Sequence, residues 1–324
     1  MNSQTPSVLI LGANGRLGAA ATLAFAAAGW HVRAQSRQAR SDWPEGVQAV
    51  LADALQPEAL CHAALGVDVI VNALNPVYTE WERLARPLAA SALAAAQASG
   101  ALLMLPGNVY NFGRDLPAEL REDTAQVGNH GKARIRIEME EQLRQAAAAG
   151  VNSVVLRCGD FFGGSVRGAW FDLGITKELH HGKLIYPGPT DLPHAWAYLP
   201  DVAQTLVLLA TQRAELRGAR SFHFGGHTLS GVQLHQALEQ LTGRRLQLRS
   251  FPWGMIRLAA LVSPMPRALL AMRYLWQRPH RLRDSALRAA LGSVPHTPLP
   301  QALAAALRAL DLFTFPTTSA PERA

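Results

Sequence analysis

The sequence predicts an α/β protein: a doubly wound parallel sheet with a smaller C-terminal cap interleaved with it. Three observations carry that prediction. Short, almost uninterrupted apolar runs alternate with helix-favouring segments through the first half of the 324 residues, the pattern of a parallel sheet covered on both faces. A glycine turn directly follows the first apolar run. The second half loses the alternation over residues 163–200, which are rich in Gly, Pro, Trp and His and read as loops around a site. With 49% hydrophobic and 17% charged residues, disorder, collagen and coiled coil are excluded.

Ser7–Leu11 is the first strand, and residues 16–28 form an Ala-rich helix closed by Gly29. His31–Ser36 and residues 47–52 are strand-like, followed by a helix around 57–64 and an apolar run over 67–72 that ends in a polar residue. Helix formers fill 80–99 up to Gly100, residues 101–105 are a buried-strand pattern, and 133–149 are a charged helix ended by Gly150. Ser153–Arg157 is the next strand. Beyond the irregular stretch, 201–211 and 231–241 are helical and 221–224 strand-like; from Trp253 on, prolines break short helices, and 302–310 form the last one. Residues 1–160 are expected to form the dinucleotide-binding domain, with 195–228 returning to it. Residues 161–194 and 229–315 then make the substrate-binding cap, and 316–324 a tail, with the loose character beginning near residue 314.

The strongest motif is Gly12-Ala13-Asn14-Gly15-Arg16-Leu17-Gly18, between the first strand and the first helix. A strand, a tight glycine turn and a helix N-terminus together aim backbone N–H groups and the positive end of the helix dipole at a pyrophosphate. The fold expected is therefore a Rossmann sheet. An acid at the end of the second strand would bind a ribose 2′-OH and repel a 2′-phosphate. Here Arg33 to Arg40 contains none before Asp42. Arg16 and Arg37 are candidates for a 2′-phosphate, so NADP(H) is preferred and NAD(H) is the alternative.

The G-x-x-G-x-x-G spacing is similar to that of short-chain dehydrogenases/reductases, particularly the extended and atypical branches that include the NAD-dependent epimerase/dehydratase family. The resemblance covers most of the chain. It implies that Asp53 sits beside the adenine, that Asn72-Ala73-Leu74 lines the cofactor, and that Arg157 to Gly163 forms the nicotinamide-side loop. Pro106 to Gly113, Tyr198 to Ala203 and Thr297-Pro298-Leu299 also look like their counterparts. An epimerase, dehydratase or reductase follows as the expected activity, with hydride transfer at a carbonyl/alcohol carbon and a nucleotide-sugar as the substrate class.

The resemblance fails at the catalytic Tyr-x-x-x-Lys pair. Residues 120–145 contain no tyrosine. One register puts Lys132 in the tyrosine position and Arg136 in the lysine position, which holds the ribose, with Glu140 one turn further. Another keeps Lys132 as the lysine and leaves Gly128 opposite the tyrosine. Asn108 falls on the serine position. Three explanations follow, in order: Lys132 exchanges the proton itself, as in atypical reductases resembling isoflavone reductase; Tyr110 supplies a phenol from another strand end; or the protein binds dinucleotide without turnover, as a redox sensor or interaction protein.

Other polar residues are candidates for the site. Asp160 follows a strand's carboxyl end, where ligand crevices form. His180, His181, His194, Trp196 and Tyr198 fall in the irregular stretch, and His194 is the preferred substrate contact, with Trp196 and Tyr198 beside it. Asp201 is expected to N-cap the helix that follows. His223 and His227 are separated by Gly225-Gly226 with no neighbouring acid or thiol, which argues against a metal site. No Gly-x-Ser-x-Gly elbow or Walker-type loop supports a hydrolase or kinase.

The formal charge is +7, yet residues 244–288 hold ten Arg, no Lys and a single acid, Asp284, so that segment carries +9 and the rest of the chain −2. Solvated helix faces are the first reading. A pocket wall for a phosphorylated or carboxylate substrate is the second. A membrane-surface helix is weaker, because Pro264 and Pro266 interrupt the pattern, and nucleic-acid binding lacks a motif. Two cysteines, Cys61 and Cys158, make no disulfide framework. Met1 to Ser7 shows no signal-peptide pattern. A soluble protein of the reducing cytoplasm is expected.

Overall fold

A computed structural model describes residues 5–313 of the chain; the expected tail, 316–324, lies outside them. Strand β1 (Ser7–Leu11) is buried from both sides, with Val8 and Ile10 in one core cluster and Leu9 and Leu11 in the other. That period-two division makes it a central strand. The chain continues through α1 (Arg16–Ala27), β2 (His31–Ser36), β3 (Val47–Leu51), α2 (Pro57–Ala63), β4 (Val69–Asn72), α3 (Trp81–Ser99), β5 (Leu102–Gly107), β6 (Glu119–Leu120), α4 (Gly131–Ala148) and β7 (Ser153–Arg157). There follow β8 (Asp160–Phe162), β9 (Lys183–Tyr186), β10 (His194–Tyr198), α5 (Leu199–Thr211), β11 (Ala219–His223), β12 (His227–Leu229) and α6 (Gly231–Thr242). The last elements are β13 (Gln247–Ser250), α7 (Trp253–Ala259), α8 (Pro264–Ala271), β14 (Arg281–Leu282), α9 (Ser285–Leu291) and α10 (Leu299–Ala309).

Seven parallel strands form the main sheet in the order β11-β7-β5-β4-β1-β2-β3. Residues of α2, α3 and α4, including Leu60, Ala92, Ile135 and Leu143, cover one face. Residues of α1, α5 and α9, including Phe25, Leu206 and Leu287, cover the other. This is a doubly wound Rossmann sheet, and its strand order reverses between β4 and β1, the switch point where ligands bind. A third cluster gathers Phe162, Phe171, Trp196, Leu234, Trp253, Trp276 and Leu307 into a separate core for the C-terminal elements.

Two expectations need correction. The stretch 163–200 is not mainly loop: β9 pairs with β13, and β10 is buried between β8 and β12. His194, Trp196 and Tyr198 thus stand on a strand, at alternate positions that share one face. The glycines and prolines belong to the turns between these strands, while bulky β-formers fill the strands themselves. Asp201 does not cap a helix, because α5 opens two residues earlier with Pro200 in its first turn. The Asp201 carboxylate instead accepts from the Thr297 amide and hydroxyl, both at 2.7 Å, and so anchors the entry to α10.

Candidate active site

Gly12 leaves β1 at φ +73°, and a Cβ there would lie 3.1 Å from the Ala73 carbonyl oxygen. Strand register sets Leu11 between Gln35 and Asn72, so the turn rises where β2 and β4 end. The Gly12 amide donates to Gln35 Oε1 (2.9 Å) and the Ala73 amide to the Leu11 carbonyl (3.0 Å). A Cβ on Gly18 would meet the Gly12 carbonyl oxygen at 2.1 Å, so α1 reaches the turn only because residue 18 has no side chain. Leu17 is buried in the core beneath.

Gly15 is the N-cap residue before α1 and offers no side-chain cap, and the first helical turn contains no acid. Its dipole and opening N–H groups therefore have no side-chain acceptor. Asn14 Oδ1 and Arg16 Nε are buried without a hydrogen-bond partner. This turn fits a bound pyrophosphate.

Arg37 follows β2 and is exposed. Its bend is fixed by the Gln38 carbonyl, which accepts from Asn14 Nδ2 (2.9 Å) and Ser36 Oγ (2.6 Å). The first acid beyond it, Asp42, is paired with Arg40. Arg16 behaves differently from Arg37. Its Nη2 donates to the Gly163 carbonyl (2.9 Å) and lies 3.5 Å from the Asp172 carboxylate, so its guanidinium is committed to the segment after β8, not to the end of β2. Asp53 is exposed beyond β3, with its carboxylate accepting from the Leu55 amide at 3.0 Å. The Asn72 side chain accepts from the Leu74 amide at 3.3 Å.

Helix α4 carries Lys132, Arg136 and Glu140 on one face, four residues apart. Lys132 Nζ donates to the Tyr78 carbonyl (3.2 Å) and lies 4.6 Å from the Tyr78 ring centroid. Burial lowers its pKa. Arg136 is buried, donates to the Pro106 carbonyl at the end of β5 (3.2 Å) and sits over Trp81; burial brings its pKa down to about 10. Glu140 accepts from Asn111 (2.9 Å), Gln126 (2.8 Å) and Arg157 (2.9 Å). It is thus a structural anchor between α4 and β7.

Asn108 Oδ1 accepts from the Tyr110 amide at 3.0 Å and closes a short turn. The Tyr110 hydroxyl is 3.2 Å from that of Tyr78. Burial pushes Tyr78 up to about 12 and Tyr110 well above its ordinary value. A phenol that exchanges a proton near neutrality needs the opposite shift.

Asp160, at the opening of β8, is the hub of the polar cluster. Its carboxylate lies 2.7 Å from His194 Nε2, and its charge helps raise the Tyr78, Tyr110, Tyr186 and Tyr274 hydroxyls beyond the effect of burial. The His194 ring stacks on Trp276, 4.1 Å away and 3° from parallel, and meets His280 edge-on at 4.5 Å. Trp196 is buried beside them with its indole N–H unpartnered, and the Tyr198 ring packs on Gly163. His130 N-caps α4: its Nδ1 accepts from the Ala133 amide (3.3 Å), so Nε2 carries the proton toward the Tyr274 hydroxyl (3.0 Å). Sequence reasoning missed Tyr78, His130, Tyr274, Trp276 and His280. Only the last three had a signal, the aromatic and Arg-rich character of their segment.

Four arginines of that segment are engaged in exposed ion pairs: Arg278 with Asp115, Arg281 and Arg283 with Glu119, and Arg288 with Asp284. For these four the solvated reading applies. His223 and His227 fall on β11 and β12, and among the described residues no three His, Cys, Asp or Glu are grouped to hold a metal ion. None of the described helices is long and apolar enough to cross a membrane.

Residues 12–165 match the family model described as NAD(P)H-binding, which spans the glycine turn, the switch point and Asp160. No curated protein matches the chain in sequence. Among solved structures, UDP-glucose 4-epimerase from Stenotrophomonas maltophila, with bound NAD and formylated UDP-arabinopyranose, shares the fold at a TM-score of 0.75 and 17% identity, covering 94% of this chain and 97% of that one. MoeE5 in complex with UDP-glucose and NAD gives 0.74 and 18%, covering 94% and 98%. UDP-glucose 4-epimerase from Brucella ovis in complex with NAD gives 0.73 and 17%, covering 94% and 97%. Residues 12–165 thus resemble an NAD(P)H-binding domain. Over nearly its whole described length the chain shares its fold with these structures.

Proposed function

We propose that the protein is an NADP(H)-linked oxidoreductase of the epimerase/dehydratase kind, acting at a carbonyl or alcohol carbon of a small anionic substrate, with a nucleotide-sugar as the class. The carrying observation is the glycine turn at the switch point, where an uncapped helix N-terminus lies beside two orphaned buried polar atoms. When bound there, a nicotinamide dinucleotide supplies the hydride donor or acceptor. Gly12, Asn14, Gly15, Leu17 and Gly18 would form its pyrophosphate cradle, with Asn72, Ala73 and Asp53 along the neighbouring strand ends. Arg37 would meet the 2′-phosphate, and Arg16 would steady the cradle through Gly163.

Lys132 is the group that holds and releases the proton. Burial favours its neutral form, while the same force pushes the Tyr110 and Tyr78 phenols away from ionising. Asp160 and His194 orient the reacting hydroxyl or carbonyl, and Arg136 and Asn108 hold the end of β5 in place around it. The UDP-sugars bound by structural neighbours of the same fold support the substrate class.

Titration of the purified protein with NADPH and NADH tests this. NADPH is expected to bind at least tenfold more tightly. Arg37→Ala should weaken NADPH by about 10–100-fold, the loss of one charge-assisted contact, and leave NADH unchanged. Clearly tighter NADH overturns the NADP(H) assignment, and no affinity for either overturns the function. Binding without cofactor turnover across a panel of UDP-sugars, carbonyls and alcohols would leave a dinucleotide sensor, which the missing tyrosine in residues 120–145 favours.

A further inference from the structure

Helices α7 and α8 form a hairpin whose outer side is apolar. Trp253 and Ala260 are buried and Ile256 packs on the cap core, which accounts for the inward face of α7. The opposite face should be polar in a helix that borders water. Instead Met255, Leu258, Leu261 and Val262 are 73%, 71%, 74% and 88% exposed, and Met265 continues the patch onto α8. Four of these five lie within an eight-residue span around the tip, a concentration of apolar surface that marks a contact site rather than scattered exposure.

Pro264 and Pro266 do not spoil one long amphipathic helix. They occupy the first turn of a second one, where proline is well accommodated. Arg267 locks the turn between the two, donating through Nε and Nη2 to the Ala260 carbonyl at 3.3 and 3.2 Å. The tip is therefore a built projection. Its charge is one-sided as well: no acid occurs between Glu239 and Asp284. Arg244, Arg245, Arg249, Arg257 and Arg267 are all exposed in that interval.

We infer that the α7–α8 hairpin seats the protein on an anionic bilayer surface, with Leu258, Leu261 and Val262 entering the headgroup boundary and the neighbouring arginines meeting lipid phosphates. Apolar side chains that insert shallowly, flanked by cations, are what an interfacial element requires. A second copy of this chain would bring the same unbalanced positive charge against itself, which disfavours self-association through the patch. Helix α8 also packs on the Tyr78–Glu80 turn, so the membrane-facing element adjoins the candidate site. The inference does not depend on the oxidoreductase reading.

The test is co-sedimentation of the full chain with vesicles of phosphatidylcholine alone and of phosphatidylcholine containing about one-third phosphatidylglycerol. Binding is expected to the anionic vesicles and to fall with added salt. The double variant Leu261→Glu with Val262→Glu should reduce it at least tenfold while leaving the thermal midpoint and dinucleotide affinity unchanged, because both side chains are solvent-exposed. Arg257→Glu, a second surface variant, should cut anionic binding by about fivefold or more. Absence of binding to either vesicle, equal binding to both, or binding unaffected by the double variant overturns the proposal. So does a dimer in sedimentation velocity that the double variant breaks without any vesicle binding, which would assign the patch to a second copy.

Discussion

Lys132 and Glu140 share a face of α4 but perform opposite tasks, and substitution separates them. Lys132 is held by a carbonyl and two aromatic faces with no carboxylate within ion-pairing distance, so burial lowers its pKa against the weaker opposing charge of Glu82. Removing a positioned acid–base group typically costs about 10²–10⁴-fold in rate. Lys132→Ala should lower turnover by that order with little change in stability, while Tyr110→Phe stays near wild type; equal losses in the two variants would return the proton to the phenol. Glu140 is a buried anion whose desolvation is outweighed by Arg157 and its other donors, leaving its pKa below the ordinary carboxylate value. Glu140→Leu leaves Arg157 charged and buried without its partner. A loss of about 3–5 kcal/mol in denaturant unfolding is expected, and a loss under 1 kcal/mol would show that water or another acid replaces it.

At the level of elements, the glycine turn is where sequence and structure agree most closely, because its requirements are local. Gly12 needs a positive φ, and Gly18 needs the space of an absent Cβ. Gly18→Ala would force its methyl against the Gly12 carbonyl, so α1 must shift from β1. Overpacking of this kind costs about 1–3 kcal/mol, and here the displaced element is also the anion-binding one. The variant should therefore lose more than tenfold in dinucleotide affinity even where it remains folded, which isothermal titration measures directly. The apolar runs of β1, β4, β5 and β7 were legible for a similar reason: burial on both faces leaves a continuous signal.

Strand β10 hid inside a Gly/Pro-rich stretch. Its alternation of His194, Trp196 and Tyr198 with Ala195 and Ala197 is a period-two pattern, but five residues among so many breakers carry little weight. The polar cluster around Asp160 was less legible still. His130 and Tyr274 are separated by 144 residues in the chain, and nothing local to either announces the other. Arg16 shows the converse, since a residue in the right motif was diverted to Gly163 and Asp172 by a tertiary contact.

For the molecule as a whole, the packing of cap against sheet should make stability sensitive to mild acid. His280 is almost fully buried against His194 and the Arg278 carbonyl, and burial, with the neighbouring His194 adding to the shift, lowers its pKa to about 3. His223, beneath β6, is lowered to about 4, first by burial and then by Arg157. Both groups titrate at their ordinary value of 6.5 once the chain unfolds. Between pH 6.5 and these folded values the unfolded chain binds more protons, so stability is complete above 6.5 and declines as pH falls. Each such proton is worth about 1.4 kcal/mol per pH unit in the steep part of the window. Glu140 acts in a lower one: its depressed folded pKa means its contribution is lost only below the unfolded carboxylate value of 4.5. Urea midpoints should therefore drop between pH 7 and pH 5, before the buried carboxylate protonates. His280→Gln removes one titrating group and should make that first decline shallower, with His223 and the similarly lowered His130 still contributing, while leaving the second, below pH 4.5, in place. A wild-type midpoint constant from pH 7 to pH 5 would mean that the cap opens enough to let these imidazoles protonate without unfolding.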